Sequence, residues 1–98
     1  MINKDFKPKL REDIVWKEEG KNNEIISLAS YLGGSIKFLN PVASRIVKLS
    51  DGKHTIKEII DDICRTFEDT DPEIAEKDVE KFLKTLEKKK IIEPIEGS

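Results

Sequence analysis

Residues 35–52 read S-I-K-F-L-N-P-V-A-S-R-I-V-K-L-S-D-G, and this stretch decides the fold. Ser35 to Leu39 alternates, with Ile36 and Phe38 to one side and Lys37 and Leu39 to the other, the period of a β-strand. Asn40-Pro41 then begins a helix. An Asn side chain accepts a hydrogen bond from an orphan backbone N–H, and Pro fits the first helical position because its missing N–H would have no intrahelical partner. Val42, Ile46 and Leu49 keep the 3.6-residue period. Asp51-Gly52 ends it, glycine supplying the left-handed residue.

On the C-terminal side, Thr55-Ile56-Lys57-Glu58 is a capping-box pattern. Ile56, Ile59, Ile60, Ile63 and Phe67 form one apolar stripe, with Lys57, Asp61, Asp62 and Arg65 outside it. Asp71-Pro72 repeats the cap-plus-proline device for a third helix, whose Ala75, Val79, Phe82, Leu83 and Leu86 are expected to face the core. Ile91-Ile92 reads as a short extended tail packing back on the domain. On the N-terminal side, Ile14, Val15 and Trp16 mark a strand within residues 10–19, stopped at Gly20-Lys21-Asn22-Asn23. A second strand spans 24–32, with Ile26 and Leu28 on one face, and Gly33-Gly34 is a hairpin signal. The expected architecture is α+β and winged-helix-like: a three-stranded antiparallel sheet followed by three α-helices. One domain over residues 10–93 lies between flexible segments at 1–9, loosely packed through Phe6, and at 94–98.

Composition narrows the function. A chain of 98 residues supports one modest core, and with 37% hydrophobic against 39% charged residues the apolar side chains must be placed efficiently. The net charge of −2 is no electrostatic footprint for nucleic acid. One cysteine, Cys64, rules out an internal disulfide or a multi-thiolate cluster, and the single histidine, His54, leaves little to hold a metal. No signal segment or membrane-length apolar run is present, so a soluble cytoplasmic protein is expected.

No residue stands out as catalytic. His54 sits in a polar loop without converging partners, and Cys64 beside an apolar stripe reads as a small, half-buried hydrophobe. Asp61-Asp62 and Glu68-Asp69 are adjacent pairs; neighbours on a helix diverge by about 100° and do not share a site. Lys88-Lys89-Lys90 is a basic helix end that meets the dipole favourably. The physical route to function is the sheet edge. Unpaired N–H and C=O groups there either need protection or dock another strand.

Three segments carry a family likeness: F-L-N-P-V-A-S-R-I-V-K-L-S-D-G at 38–52, T-I-K-E-I-I at 55–60 and D-V-E-K-F-L-K-T-L-E-K-K-K-I-I at 78–92, with R-E-D-I-V-W-K-E-E-G at 11–20 in support. From Trp16 to Ile92 the chain resembles the PqqD family, also called the RiPP precursor peptide recognition element. Members often carry a glycine just before the final apolar pair; here it is Lys90. The resemblance implies a non-catalytic peptide chaperone without a cofactor. Its partners would be the leader of a ribosomally made precursor peptide and a modifying enzyme, typically a radical S-adenosylmethionine protein, with no nucleic acid or membrane involved.

The leader would add as a strand along Ser35, Ile36, Lys37, Phe38 and Leu39, in the cleft formed with the third helix. Apolar leader residues would seek a groove near Phe38, Val79 and Leu83, rimmed by Lys37, Glu76, Glu80 and Lys84. Helix phase favours the flank Glu76, Glu80, Leu83 and Glu87 as its wall; the opposite flank, Asp78, Phe82, Thr85 and Lys89, stays open as the alternative. Such an edge also admits a strand-mediated homodimer. The rival reading is a winged-helix DNA-binding regulator, which would require a basic recognition helix where this third helix mixes Glu and Lys.

Overall fold

The computed structural model describes residues 3–21, 25–30, 37–67 and 70–95. Strands β1 (Ile14–Glu19) and β2 (Ile25–Ser30) form an antiparallel pair, with Trp16 opposite Leu28 and Glu18 opposite Ile26. Two residues, β3 (Lys37–Phe38), add to the other side of β2, Phe38 opposite Ser27 and Lys37 opposite Leu28. Helices α1 (Pro41–Leu49), α2 (Ile56–Thr66) and α3 (Pro72–Lys88) follow. The Gly33-Gly34 hairpin signal, Ser35, Ile36 and the Glu68-Asp69 pair lie outside the described residues.

Each helix begins where the local chemistry dictates. Asn40 Oδ1 accepts from Ala43 N–H at 2.8 Å, with Pro41 at the first position. At α2 both halves of the capping box form: Glu58 N–H to Thr55 Oγ1 at 3.1 Å and Thr55 N–H to Glu58 Oε1 at 2.8 Å. These bonds to Thr55 hold the Glu58 carboxyl below its ordinary pKa. Asp71 caps α3 through Glu73 N–H.

One core unites the elements. Ile26 and Leu28 of β2 pack with Ile46 and Val47 of α1, the α2 stripe Ile56, Ile59, Ile60 and Ile63, the α3 residues Val79, Leu83 and Leu86, and Ile92 and Ile95 of the tail. The buried face of α1 differs from the expected one. It is Ala43, Ser44, Ile46 and Val47, while Val42 remains 36% exposed, because Ser44 is drawn inward by hydrogen bonds. Phe82 is likewise half-buried beside the core residues of α3. Asp62, expected on a solvated face, instead accepts two hydrogen bonds from Arg45, at 2.7 and 3.0 Å, and so ties α2 to α1.

The N-terminal segment, expected to be loose, is tied down. Pro8 is fully buried. Lys57 N–H donates to Lys4 C=O, Ile56 N–H to Phe6 C=O and Gly52 N–H to Pro8 C=O. Lys9 and Leu10 form bridges to Asp51 and Ile92, outside the strand expected to include Leu10, and Ile95 of the tail is buried as well. Gly52 has φ +79°, and a Cβ there would meet Lys9 Cδ at 3.4 Å. That is ordinary van der Waals contact, so it is the left-handed turn that calls for glycine here.

At the far end of α3, Lys90 N–H bonds Glu87 C=O and Ile91 N–H bonds Leu86 C=O, a Schellman ending with Lys90 at φ 60°. This is the position where the resemblance leads one to expect glycine, and the backbone conformation supplies the reason. Lys90→Gly is expected to stabilise the protein by about 0.5–1 kcal/mol, read as a higher urea midpoint at unchanged slope. Asp62 yields a second expectation. The hydrogen bonds from Arg45 hold its carboxyl below its ordinary pKa against the opposing effect of partial burial. Its contribution is therefore full above the unfolded pKa of about 3.9 and disappears as pH falls through the lower folded value. Asp62→Asn should cost up to about 1 kcal/mol at neutral pH, and the gap to wild type should close in urea titrations taken below about pH 4.

Candidate functional site

The site begins at the junction of β3 and α1. Leu39 donates its N–H to Ile26 C=O at 2.8 Å, continuing the β2–β3 register by one residue. The return bond of that pair is not made directly. Ile26 N–H donates instead to Ser44 Oγ at 2.8 Å, and the Ser44 hydroxyl donates to Leu39 C=O at 3.1 Å. Ser44 is 1% exposed and inserts its hydroxyl into the ladder where strand becomes helix.

This junction sets the direction of the edge. In an antiparallel ladder alternate residues turn their main-chain groups to the partner strand. With Leu39 bonded to Ile26, Lys37 turns toward Leu28, and Phe38 between them directs its N–H and C=O away from β2. The strand order β1-β2-β3 places β3 at a sheet edge. The backbone of Phe38 is therefore presented outward there.

Two residues beyond Phe38, a groove of about 430 Å³ opens between α1 and α3. Asn40, Val42, Ala43 and Ile46 line one wall and Asp78, Lys81, Phe82 and Thr85 the other. Its apolar surface comes from Val42, Ala43, Ile46 and Phe82, with Asn40 polar on one wall and Asp78, Lys81 and Thr85 polar on the other.

The residues singled out from sequence divide between this groove and elsewhere. Ser35 and Ile36 lie outside the described residues; Lys37 and Phe38 form β3, and Leu39 is half-buried against the core. Val79 and Leu83 are fully buried, so they support α3 from within and do not line an open wall. The flank Glu76, Glu80, Leu83 and Glu87 does not coincide with the groove. Glu76 is paired with Lys4 of the N-terminal segment, and Glu87 accepts from Ile95 N–H of the tail. The groove lies on the opposite flank, where Asp78, Phe82 and Thr85 sit. Glu80 and Lys84 border a shallow surface farther around α3 that shares only Lys81 and Thr85 with the groove.

Val42 and Ser44 were missed as site residues. A helical wheel offers no distinction between Val42 outward and Val42 inward; the pull of Ile26 N–H on Ser44, a long-range contact, turns α1 so that Val42 stays out. His54 Nδ1 lies 3.0 Å from Asp51 Oδ1, and Cys64 is half-buried against the core. Among the described residues no group of three His, Cys, Asp or Glu side chains is placed to hold a metal. No helix among them is long and apolar enough to cross a membrane.

Comparison with known proteins gives the class. Residues 27–92 match the family described as coenzyme PQQ synthesis protein D (PqqD), so the chain belongs to the PqqD family. The solved structure described as "TbiB1 in Complex with the TbiA(beta) Leader Peptide" is similar, with a TM-score of 0.76 and 27% identity, over 87% of this chain and 94% of that one. A search of curated proteins finds no match.

The Ser44 relay makes the site's geometry testable. Ser44→Ala strands a buried N–H at Ile26 and should cost about 1–3 kcal/mol in chemical denaturation. Ser44→Thr, which keeps the hydroxyl, should recover part of that loss.

Proposed function

We propose that this protein captures the leader segment of a ribosomally made precursor peptide and presents it to a modifying enzyme, without chemistry of its own. The observation that carries the reading is the outward main chain of Phe38 at an open strand edge, two residues from an apolar groove. Family membership and the likeness to TbiB1, whose structure holds a leader peptide, support it.

In this mechanism the leader adds as a strand beside β3. Main-chain bonds at Phe38 give affinity with little demand on sequence, and apolar leader side chains seated against Val42, Ile46 and Phe82 give selectivity. Anchoring the leader raises the effective concentration of the remaining peptide at the enzyme, which is the whole of the catalytic benefit a binding module can supply. The enzyme is proposed to be of the radical S-adenosylmethionine class, as is common for partners of this family.

The test is an NMR titration of the labelled protein with leader segments encoded by precursor genes beside its own. Shifts should cluster at residues 37–43 and 78–85. Val42→Asp, at an exposed position, should weaken binding about tenfold or more with the fold retained. Phe38→Pro, which deletes an outward donor, should weaken it more than Phe38→Ala. Leader binding that leaves all three variants at wild-type affinity would sink the reading.

A further inference from the structure

Beside the groove, α3 carries a crest of four exposed lysines, Lys77, Lys81, Lys84 and Lys88. Spacings of four, three and four residues keep them within a narrow stripe about 16 Å long. Lys81 and Thr85 belong both to this surface and to the groove wall, so the crest adjoins the groove at Lys81. The arrangement has a cost to the helix. Lys77 with Lys81 and Lys84 with Lys88 are like charges at i,i+4, each mildly destabilising. None of the four is ion-paired with a described residue, whereas Lys4, Arg45 and Lys48 all find carboxylates. In a chain of net charge −2, this is a local concentration of positive charge that meets the groove at Lys81.

We infer that the bound peptide is acidic on its α3 side, with Asp or Glu residues at alternate positions opposite this crest. The inference rests on the leader-binding reading above and specifies its substrate class. Spacing supports alternation. Lysine steps of four, three and four residues advance about 6, 4.5 and 6 Å, and two residues of an extended peptide advance about 6.7 Å, so outward carboxylates of a strand running along α3 fall within a few ångströms of successive lysines, a gap their flexible stems can span. Apolar residues at the intervening positions would then turn toward Val42 and Phe82. The surrounding carboxylates sharpen the register: Glu73 and Glu80 border the crest and Asp78 the groove, so an acidic peptide that slips off the lysines meets like charge, while the lysines themselves oppose a basic one.

The experiment selects binders from a displayed library of random peptides of about twelve residues, using the full chain as bait, at about 50 mM salt, where surface charge is weakly screened. Enriched peptides should show Asp or Glu at alternating positions at about twice library frequency or more. They should lose about fivefold in affinity on Lys81→Glu with Lys84→Glu, and a similar factor when salt is raised to about 300 mM. Enriched peptides that depend on Val42 and Phe82, by loss of binding to Val42→Asp and Phe82→Glu, but carry no acidic excess would overturn the charge inference and leave the groove reading standing. Enriched peptides indifferent to Val42→Asp and Phe82→Glu, or no enrichment at all, would overturn both.

Discussion

The structure depends on one buried hydroxyl. Ser44 takes the N–H of Ile26 and returns a hydrogen bond to the carbonyl of Leu39, completing a β-ladder rung that the two strands do not close themselves. A direct rung would carry β3 straight on; the inserted hydroxyl lets the chain leave the sheet at Asn40 and begin a helix at once. Because Ser44 is on α1, the same bonds set that helix's rotation. Ala43, Ile46 and Val47 go into the core, and Val42 is left at the rim of the groove. The direction of the Phe38 backbone and the existence of an apolar wall beside it are thus two results of one contact.

What was legible in the sequence is what short-range chemistry decides. The caps at Asn40, Thr55 and Asp71 each involve residues within three positions of one another, and all three form as their side chains require. The α2 stripe was legible for a similar reason, since four isoleucines at helical spacing leave only one face to bury. Less legible were features decided between distant segments. Arg45 and Asp62 are seventeen residues apart, and nothing in either neighbourhood marks them as partners. The groove's flank on α3 was settled by what covers the other one: Lys4 reaches Glu76, and the tail bonds Glu87 through Ile95. Helix phase alone cannot see a chain terminus folding over a helix. Lys90 is an intermediate case, since its left-handed backbone is local in cause but its residue type conceals it.

The functional reading follows from a division of labour. Buried Val79 and Leu83 hold α3 in place from within, and its outward residues are free to differ in chemistry along two adjoining strips, one apolar at Phe82 and one cationic at the lysine crest. In the proposed mode an edge strand would supply affinity that any peptide could use, and the strips would decide which peptide does. Specificity in so small a protein can then change by surface substitution on one helix, without disturbing the core.

The bridge between Leu10 and Ile92, with Glu93 N–H bonded to Lys9 C=O and Arg11 N–H to Ile91 C=O, has a topological consequence. The segments around Leu10 and Ile92 run side by side, on residues that take no part in lining the groove. A domain whose N- and C-terminal segments pair with each other in this way suits insertion into a loop of a larger polypeptide, away from the β3 edge. Covalent attachment to an enzyme and free association with one are, for this fold, nearly the same geometric problem.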